Sequence, residues 1–169
     1  MIKIDISKCT GCRCCETACS FYHTGQINRN KSRIKVEHQY DTGVDGPVVC
    51  RQCQERYCLE CDEDAIAVGN MGQIKISYNL CNLCKKCVKN CPIGAIELFD
   101  EYIFVCDLCG GSPKCVEACT EKAVVFVPDE SDVISLEERK KESKKLNVSE
   151  KRTNFLEKLG IDVRQEWRR

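Results

Sequence analysis

Sixteen of the seventeen cysteines in this 169-residue chain fall into four groups of four, separated by stretches that hold none. The first group, CTGCRCCETAC, supplies Cys9, Cys12, Cys15 and Cys19; the second, CRQCQERYCLEC, supplies Cys50, Cys53, Cys58 and Cys61. The third, CNLCKKCVKNCP, supplies Cys81, Cys84, Cys87 and Cys91, and the fourth, CDLCGGSPKCVEAC, supplies Cys106, Cys109, Cys115 and Cys119. Thiolates two residues apart are spaced as metal ligands. A C-x2-C-x2-C run curls the backbone so that three sulfurs converge while nearby amides face the same centre, and a fourth thiolate must come from elsewhere.

Two inorganic partners use such quartets. Zinc takes four thiolates around one ion, from two C-x2-C pairs split by a longer loop. Groups two and three can be forced into that scheme, but Cys15, Cys19, Cys87 and Cys91 then have no reason for their spacing. A [4Fe-4S] cubane accounts for them. Group three, followed by Pro92, matches the C-x2-C-x2-C-x3-C-P run of bacterial ferredoxins at every position. In a two-cluster ferredoxin the last cysteine of each run serves the other cluster, so motifs should come in even numbers, and four are present. Group two departs from the pattern: two residues instead of three precede Cys61, and Asp62 stands where a proline often follows. Groups one and four are followed by Ser20 and Thr120, and group four has an extended turn before Cys115. Cys14 is the surplus thiol and reads as a small buried hydrophobe; should Cys14 ligate, Cys15 becomes the spare.

Disulfides are the other use of cysteine at this density. An odd count suits them badly. The opening MIKIDISKC alternates like a strand and shows no basic segment leading into an apolar run, and no stretch approaches the roughly eighteen apolar residues of a membrane helix. These features lead to the expectation of a cytoplasmic chain with reduced thiols and no direct membrane span. The 26 basic and 26 acidic residues cancel, which gives no argument for a nucleic-acid partner. Each oxidised cubane with its thiolates carries about −2, so four of them would bring about −8. Lys85, Lys86 and Lys114, beside the ligand loops, read as an offset to that charge. His23 and His38 read as surface or turn residues. There is no glycine-rich phosphate loop and no nucleophile with its base, hence no catalytic residue.

With 31% charged and 7% aromatic residues, little material is left for an ordinary core. Ile2 to Ile6, Ile34 to Val36 and Val124 to Val127 fit strands, and Ala65 to Ile76 and Ala95 to Val105 read as hairpins, the first turning at Gly69, Asn70 and Gly72. Short helices should follow each cysteine group. The expected fold is α+β, with small antiparallel sheets and short helices around the clusters, and it should not form without metal. Residues 129–169 hold no cysteine. Ser135 and Glu138 fit a capping box opening a helix to Leu146 whose span Glu137 to Lys145, lacking any apolar residue, reads as a solvated face. Phe155, Leu156, Leu159 and Ile161 form a second stripe with Gly160 as its stop. That stripe, and Trp167, could pack back on the body or anchor a partner.

The four groups resemble the electron-transfer subunits that accompany molybdopterin and tungstopterin oxidoreductases, the dimethyl sulfoxide reductase iron-sulfur subunit type. CTGCRCCETACSFYHTG, VVCRQC and VCDLCGGSPKC carry the likeness, which spans Ile2 to Val127. The small size and the SFYHTG segment look most like the polyferredoxin subunits of tungsten-dependent aldehyde oxidoreductases; carriers of carbon monoxide dehydrogenase, hydrogenase and formate hydrogenlyase look similar. The resemblance implies a non-catalytic wire that passes electrons through four [4Fe-4S] clusters between a large pterin-containing subunit and another carrier. It also implies crossed ligation: Cys9, Cys12, Cys15 and Cys119; Cys106, Cys109, Cys115 and Cys19; Cys50, Cys53, Cys58 and Cys91; Cys81, Cys84, Cys87 and Cys61. On that basis 1–49 with 92–128 form one ferredoxin-like dicluster unit, 50–91 an inserted second, and 129–169 a charged helical tail. A structural or regulatory zinc or cluster module is the rival reading, for which sixteen regularly spaced ligands are excessive.

Overall fold

The computed structural model describes residues 1–128 and 134–167. Among the described residues eight short strands pair into four antiparallel two-stranded sheets. The first strand, β1 (Ile2–Ile4), pairs with the last, β8 (Val124–Phe126), Ile2 facing Phe126. The other three pairs are local hairpins: β2 (Ile34–Gln39) with β3 (Val44–Val49), β4 (Ile66–Val68) with β5 (Ile74–Ile76), and β6 (Glu97–Phe99) with β7 (Tyr102–Phe104). Both hairpins expected from Ala65 to Ile76 and Ala95 to Val105 are present. The second turns through Asp100 and Glu101 at φ 50° and 61°, a two-residue turn of the kind that matches strand twist although neither residue is glycine.

Two-stranded ribbons of this size are not stable alone, so the sheets depend on what packs against them. That material includes the cysteines. One apolar cluster gathers Cys15, Cys19, Cys106 and Cys115 with Ile2, Ile34, Val36, Leu108 and Val124. A second gathers Cys58, Cys87 and Cys91 with Ile74, Ile93, Ile96, Ile103 and Phe155. Helix α1 (Cys14–Thr24) follows Cys9 and Cys12 and carries Cys15 and Cys19, α2 (Lys86–Asn90) overlaps the end of group three, and α3 (Lys114–Glu117) lies inside group four. Inside group two there is a 3-10 turn, Tyr57–Leu59, which carries Cys58, so the helical segments start within the groups and do not follow them as expected.

The tail departs from its expected form in three ways. Ser135 forms no capping box: its hydroxyl donates to Glu55, Glu55 accepts the Leu136 N–H at 3.1 Å, and helix α4 (Glu137–Glu142) starts after Leu136. The span from Glu137 to Lys145 is not merely a solvated face, because Lys140 donates to the Asn90 carbonyl at 2.9 Å and sits 4.9 Å from the Tyr57 ring. Gly160 is no stop either. Helix α5 (Val148–Trp167) runs through it, and glycine fits there because a side chain would press on Val44. Phe155 and Leu156 are buried while Ile161 stays 45% exposed. Lys151 and Arg152, buried despite their charge, bond the Lys89 carbonyl at 2.6 Å and Glu37 at 2.5 Å. Gly94, at φ 64°, lets the Val148 carbonyl approach closer than any Cβ would allow.

Candidate iron-sulfur centres

The four cysteine groups share one backbone feature that residue identity hides. The residue two places after the first cysteine of each group adopts positive φ: Gly11 at 67°, Gln52 at 48°, Leu83 at 58° and Leu108 at 61°. Only glycine does this freely, and a leucine held there costs on the order of 1 kcal/mol or more. In groups one, two and four that residue donates its N–H to the first sulfur, Gly11 to Cys9, Gln52 to Cys50 and Leu108 to Cys106. Asn82 and Asp107, the residues after the first cysteine in groups three and four, accept the N–H of Cys84 at 3.0 Å and of Cys109 at 3.1 Å, which tightens each loop. Alternating right- and left-handed backbone turns amides inward into a concavity suited to anions, as around iron-sulfur clusters. Gly11 is fixed twice, since a Cβ would also overlap Asp45.

The folded chain brings cysteines of different groups together. Cys9 lies close enough to Cys12 and Cys119 to feel their charge, and Cys15 to feel Cys9. Cys115 feels Cys106, Cys109 and Cys19. Cys50 feels Cys53, Cys58 and Cys91, and Cys87 feels Cys81, Cys84 and Cys61. Further contacts run between these sets: Cys15 feels Cys115 more than Cys9, Cys106 feels Cys50 more than Cys19, and Cys58 feels Cys87 less than Cys91 and Cys53. All sixteen cysteines singled out from the sequence therefore have neighbours among the thiols of other groups or their own.

Burial pushes most of these thiols up: Cys15, Cys50, Cys106 and Cys115 strongly, Cys58 to about 12 and Cys87 to about 11. Such thiols make poor nucleophiles, because the thiolate is the reactive form. They suit ligands that become thiolates only when a metal supplies the balancing charge. Backbone donors reach sulfur as well: the Arg33 N–H meets Cys19 at 3.3 Å and the Ala95 N–H meets Cys91 at 3.2 Å. Donor set, inward amides and quartets fit cubanes better than single ions.

Three expectations change. Cys14 is exposed, not buried, at the start of α1, where its thiol bonds that of Cys12; the neighbouring Cys15 is the one turned inward, because α1 buries Cys15, Glu16, Cys19 and Ser20. His38 is not a surface residue: it accepts from Arg13 at 2.9 Å and contacts Asp45 at 2.8 Å. His23 reaches the Cys109 sulfur at 3.6 Å. No local signal marked it, since the loop it touches lies 86 positions away. Of the lysines, Lys86 pairs with Asp62 and Lys114 with Glu117, so part of their charge is spent within the protein.

Loops, inward amides and gathered thiols define a 4Fe-4S ferredoxin-type protein, and the family description "4Fe-4S binding domain" matches residues 73–96. The chain is 39% identical over 124 residues to the polyferredoxin-like subunit of an aliphatic sulfonate oxidoreductase from Pyrococcus furiosus, covering 71% of each chain. It is 32% identical to a ferredoxin of Methanocaldococcus jannaschii over 92% of this chain and 97% of that one. It is 28% identical to the electron transport protein HydN of Escherichia coli over 83% and 95%. The chain belongs to this family of polyferredoxin-like iron-sulfur electron-transfer proteins. Among the described residues no helix is long and apolar enough to cross a membrane.

Proposed function

We propose that this chain is the non-catalytic electron-transfer subunit of an oxidoreductase and holds four [4Fe-4S] clusters in one line. The approach of cysteines from different groups, Cys9 to Cys119, Cys115 to Cys19, Cys50 to Cys91 and Cys87 to Cys61, carries the reading. In chain order of contact the ligands would be Cys9, Cys12, Cys15 and Cys119; then Cys106, Cys109, Cys115 and Cys19; then Cys50, Cys53, Cys58 and Cys91; then Cys81, Cys84, Cys87 and Cys61. The links of Cys15 with Cys115, Cys106 with Cys50, and Cys58 with Cys87 support that order.

Groups one and four, on 1–49 and 92–128, would then form the outer dicluster unit, and 50–91 the inserted one. The β1–β8 pairing, which ties the start of the outer unit to its end, supports this division. The partner would be a large catalytic subunit, a tungsten- or molybdenum-pterin oxidoreductase, in the cytoplasm, with a second carrier at the far end. A relative named as a subunit of an oxidoreductase supports that assembly.

When bound, each cluster supplies a one-electron couple. The chain's own part is to hold cluster spacing, to keep water from the inner sulfurs, and to set each potential through charge and N–H donors. Anaerobic purification should yield about sixteen iron and about sixteen acid-labile sulfide per chain with negligible zinc. Colourless, sulfide-free and compact protein would end the proposal.

A further inference from the structure

The loop around Cys106 and Cys109 holds a polar knot that a bare wire does not require. His23, in the last turn of α1, reaches across to group four. Its Nε2 lies 3.6 Å from Cys109 Sγ and 3.5 Å from Asp107 Oδ1, and its side chain is 9% exposed. The other oxygen of Asp107 receives the Arg33 guanidinium at 2.5 Å, while Oδ1 also accepts the Cys109 N–H at 3.1 Å. Arg33 gives its own backbone N–H to Cys19 at 3.3 Å. Tyr22 stands edge-on to the imidazole, with ring centres 4.9 Å apart. Segments far apart in sequence thus converge on two thiols of one quartet.

Nε2 faces a sulfur and a carboxylate oxygen, both acceptors, so it is the nitrogen that carries the proton. A thiolate on iron gains negative charge when its cluster takes up an electron, and an N–H aimed at that sulfur therefore stabilises the reduced form more than the oxidised one. Asp107 alone would act in the opposite direction. Arg33 offsets the carboxylate, which leaves Asp107 to orient the ring.

We propose that His23 is a positioning residue, held by Asp107 and Arg33, whose Nε2–H donates to Cys109 and raises the reduction potential of the cluster bound by Cys106, Cys109, Cys115 and Cys19. This rests on the ligation proposed above. The test is a redox titration of the anaerobic holoprotein at fixed pH, followed by electron paramagnetic resonance, comparing wild type, His23→Phe and His23→Gln. His23→Phe should lower one step of the four, its reduction equilibrium weakening roughly tenfold, or about 59 mV for a one-electron couple. His23→Gln keeps an N–H donor and should move that step less.

Four unmoved potentials overturn the inference, and so does a common shift of all four, which marks a structural role. Should His23→Phe load fewer than four clusters, nuclear double resonance on wild type carrying ¹⁵N-histidine decides. Coupling of histidine nitrogen to one reduced cluster, retained in His38→Gln, is expected; its absence overturns the proposal. Unmoved potentials with about sixteen iron present sink only the role of His23. Protein that binds no iron sinks the wire reading as well.

Discussion

The two quartets proposed for the ends differ from the two proposed for the middle in how their cysteines meet water. Cys12 is exposed in the first and Cys84 in the last, whereas none of Cys19, Cys106, Cys109, Cys115, Cys50, Cys53, Cys58 and Cys91 is. The same C-x2-C loop thus serves two purposes. At the ends its second cysteine faces outward, where a redox partner can come close. In the middle the apolar side chains of Leu108, Val48 and Ile93 pack with the cysteines, which would favour transfer toward a neighbouring cluster over loss to solvent.

The harshest test of this difference is removal of the metal. Anaerobic chelation should abolish the cooperative thermal transition followed by circular dichroism, because seven of the buried apolar positions are cysteines with no other reason to gather. Single ligands should separate ends from middle. Cys84→Ala or Cys61→Ala should cost the last cluster alone and leave about twelve iron per chain. Cys106→Ala or Cys50→Ala should deplete more than one cluster, since those two thiols feel each other's charge and would belong to adjoining centres. Equal iron losses for all four variants would erase the distinction, and intact spectra for the last cluster in Cys61→Ala would overturn the crossed pairing.

Much of this arrangement could be read from the chain because ligand spacing is local. The β4–β5 and β6–β7 hairpins likewise follow from alternation over a few residues. Strand β3 escaped because Gly46 and Pro47 interrupt its apolar run, yet its pairing with β2 makes it a strand. The left-handed positions at Gln52, Leu83 and Leu108 escaped because nothing in glutamine or leucine announces positive φ; the loop imposes it. The tail was misjudged for a related reason. Lys140, Lys151 and Arg152 look like solvent-facing residues until the Asn90 and Lys89 carbonyls and Glu37 appear beside them. Long-range partners turn a solvated pattern into a docked one.

That docking gives the next largest effect. Adjacent residues of α5 enter different apolar clusters: Phe155 packs into the one containing Cys58, Cys87 and Cys91, and Leu156 packs with Ile6 and Val44. Phe155→Ala should destabilise by about 3–5 kcal/mol and Leu156→Ala by about 2–5 kcal/mol. Both should show as lower melting temperatures of the holoprotein. On warming, Phe155→Ala should release iron first from the third and fourth clusters, and Leu156→Ala from the first. Identical orders of cluster loss would show that the tail clamps the molecule as one block.

The mildest substitution bears on the exposed end alone. Lys86 pairs with Asp62 beside Cys84 and Cys61, its side chain 47% exposed, so Lys86→Gln should leave the melting temperature unchanged. Its charge still favours electron uptake by the nearest cluster, and losing it leaves Asp62 unpaired close to the same site. The potential of the last cluster should therefore fall slightly at low ionic strength while the other three stay put. In 1 M salt, where screening acts over about 3 Å, the difference should vanish. A shift that survives high salt would mean that solvent does not reach this end of the line, and the contrast between exposed ends and covered middle would fail there.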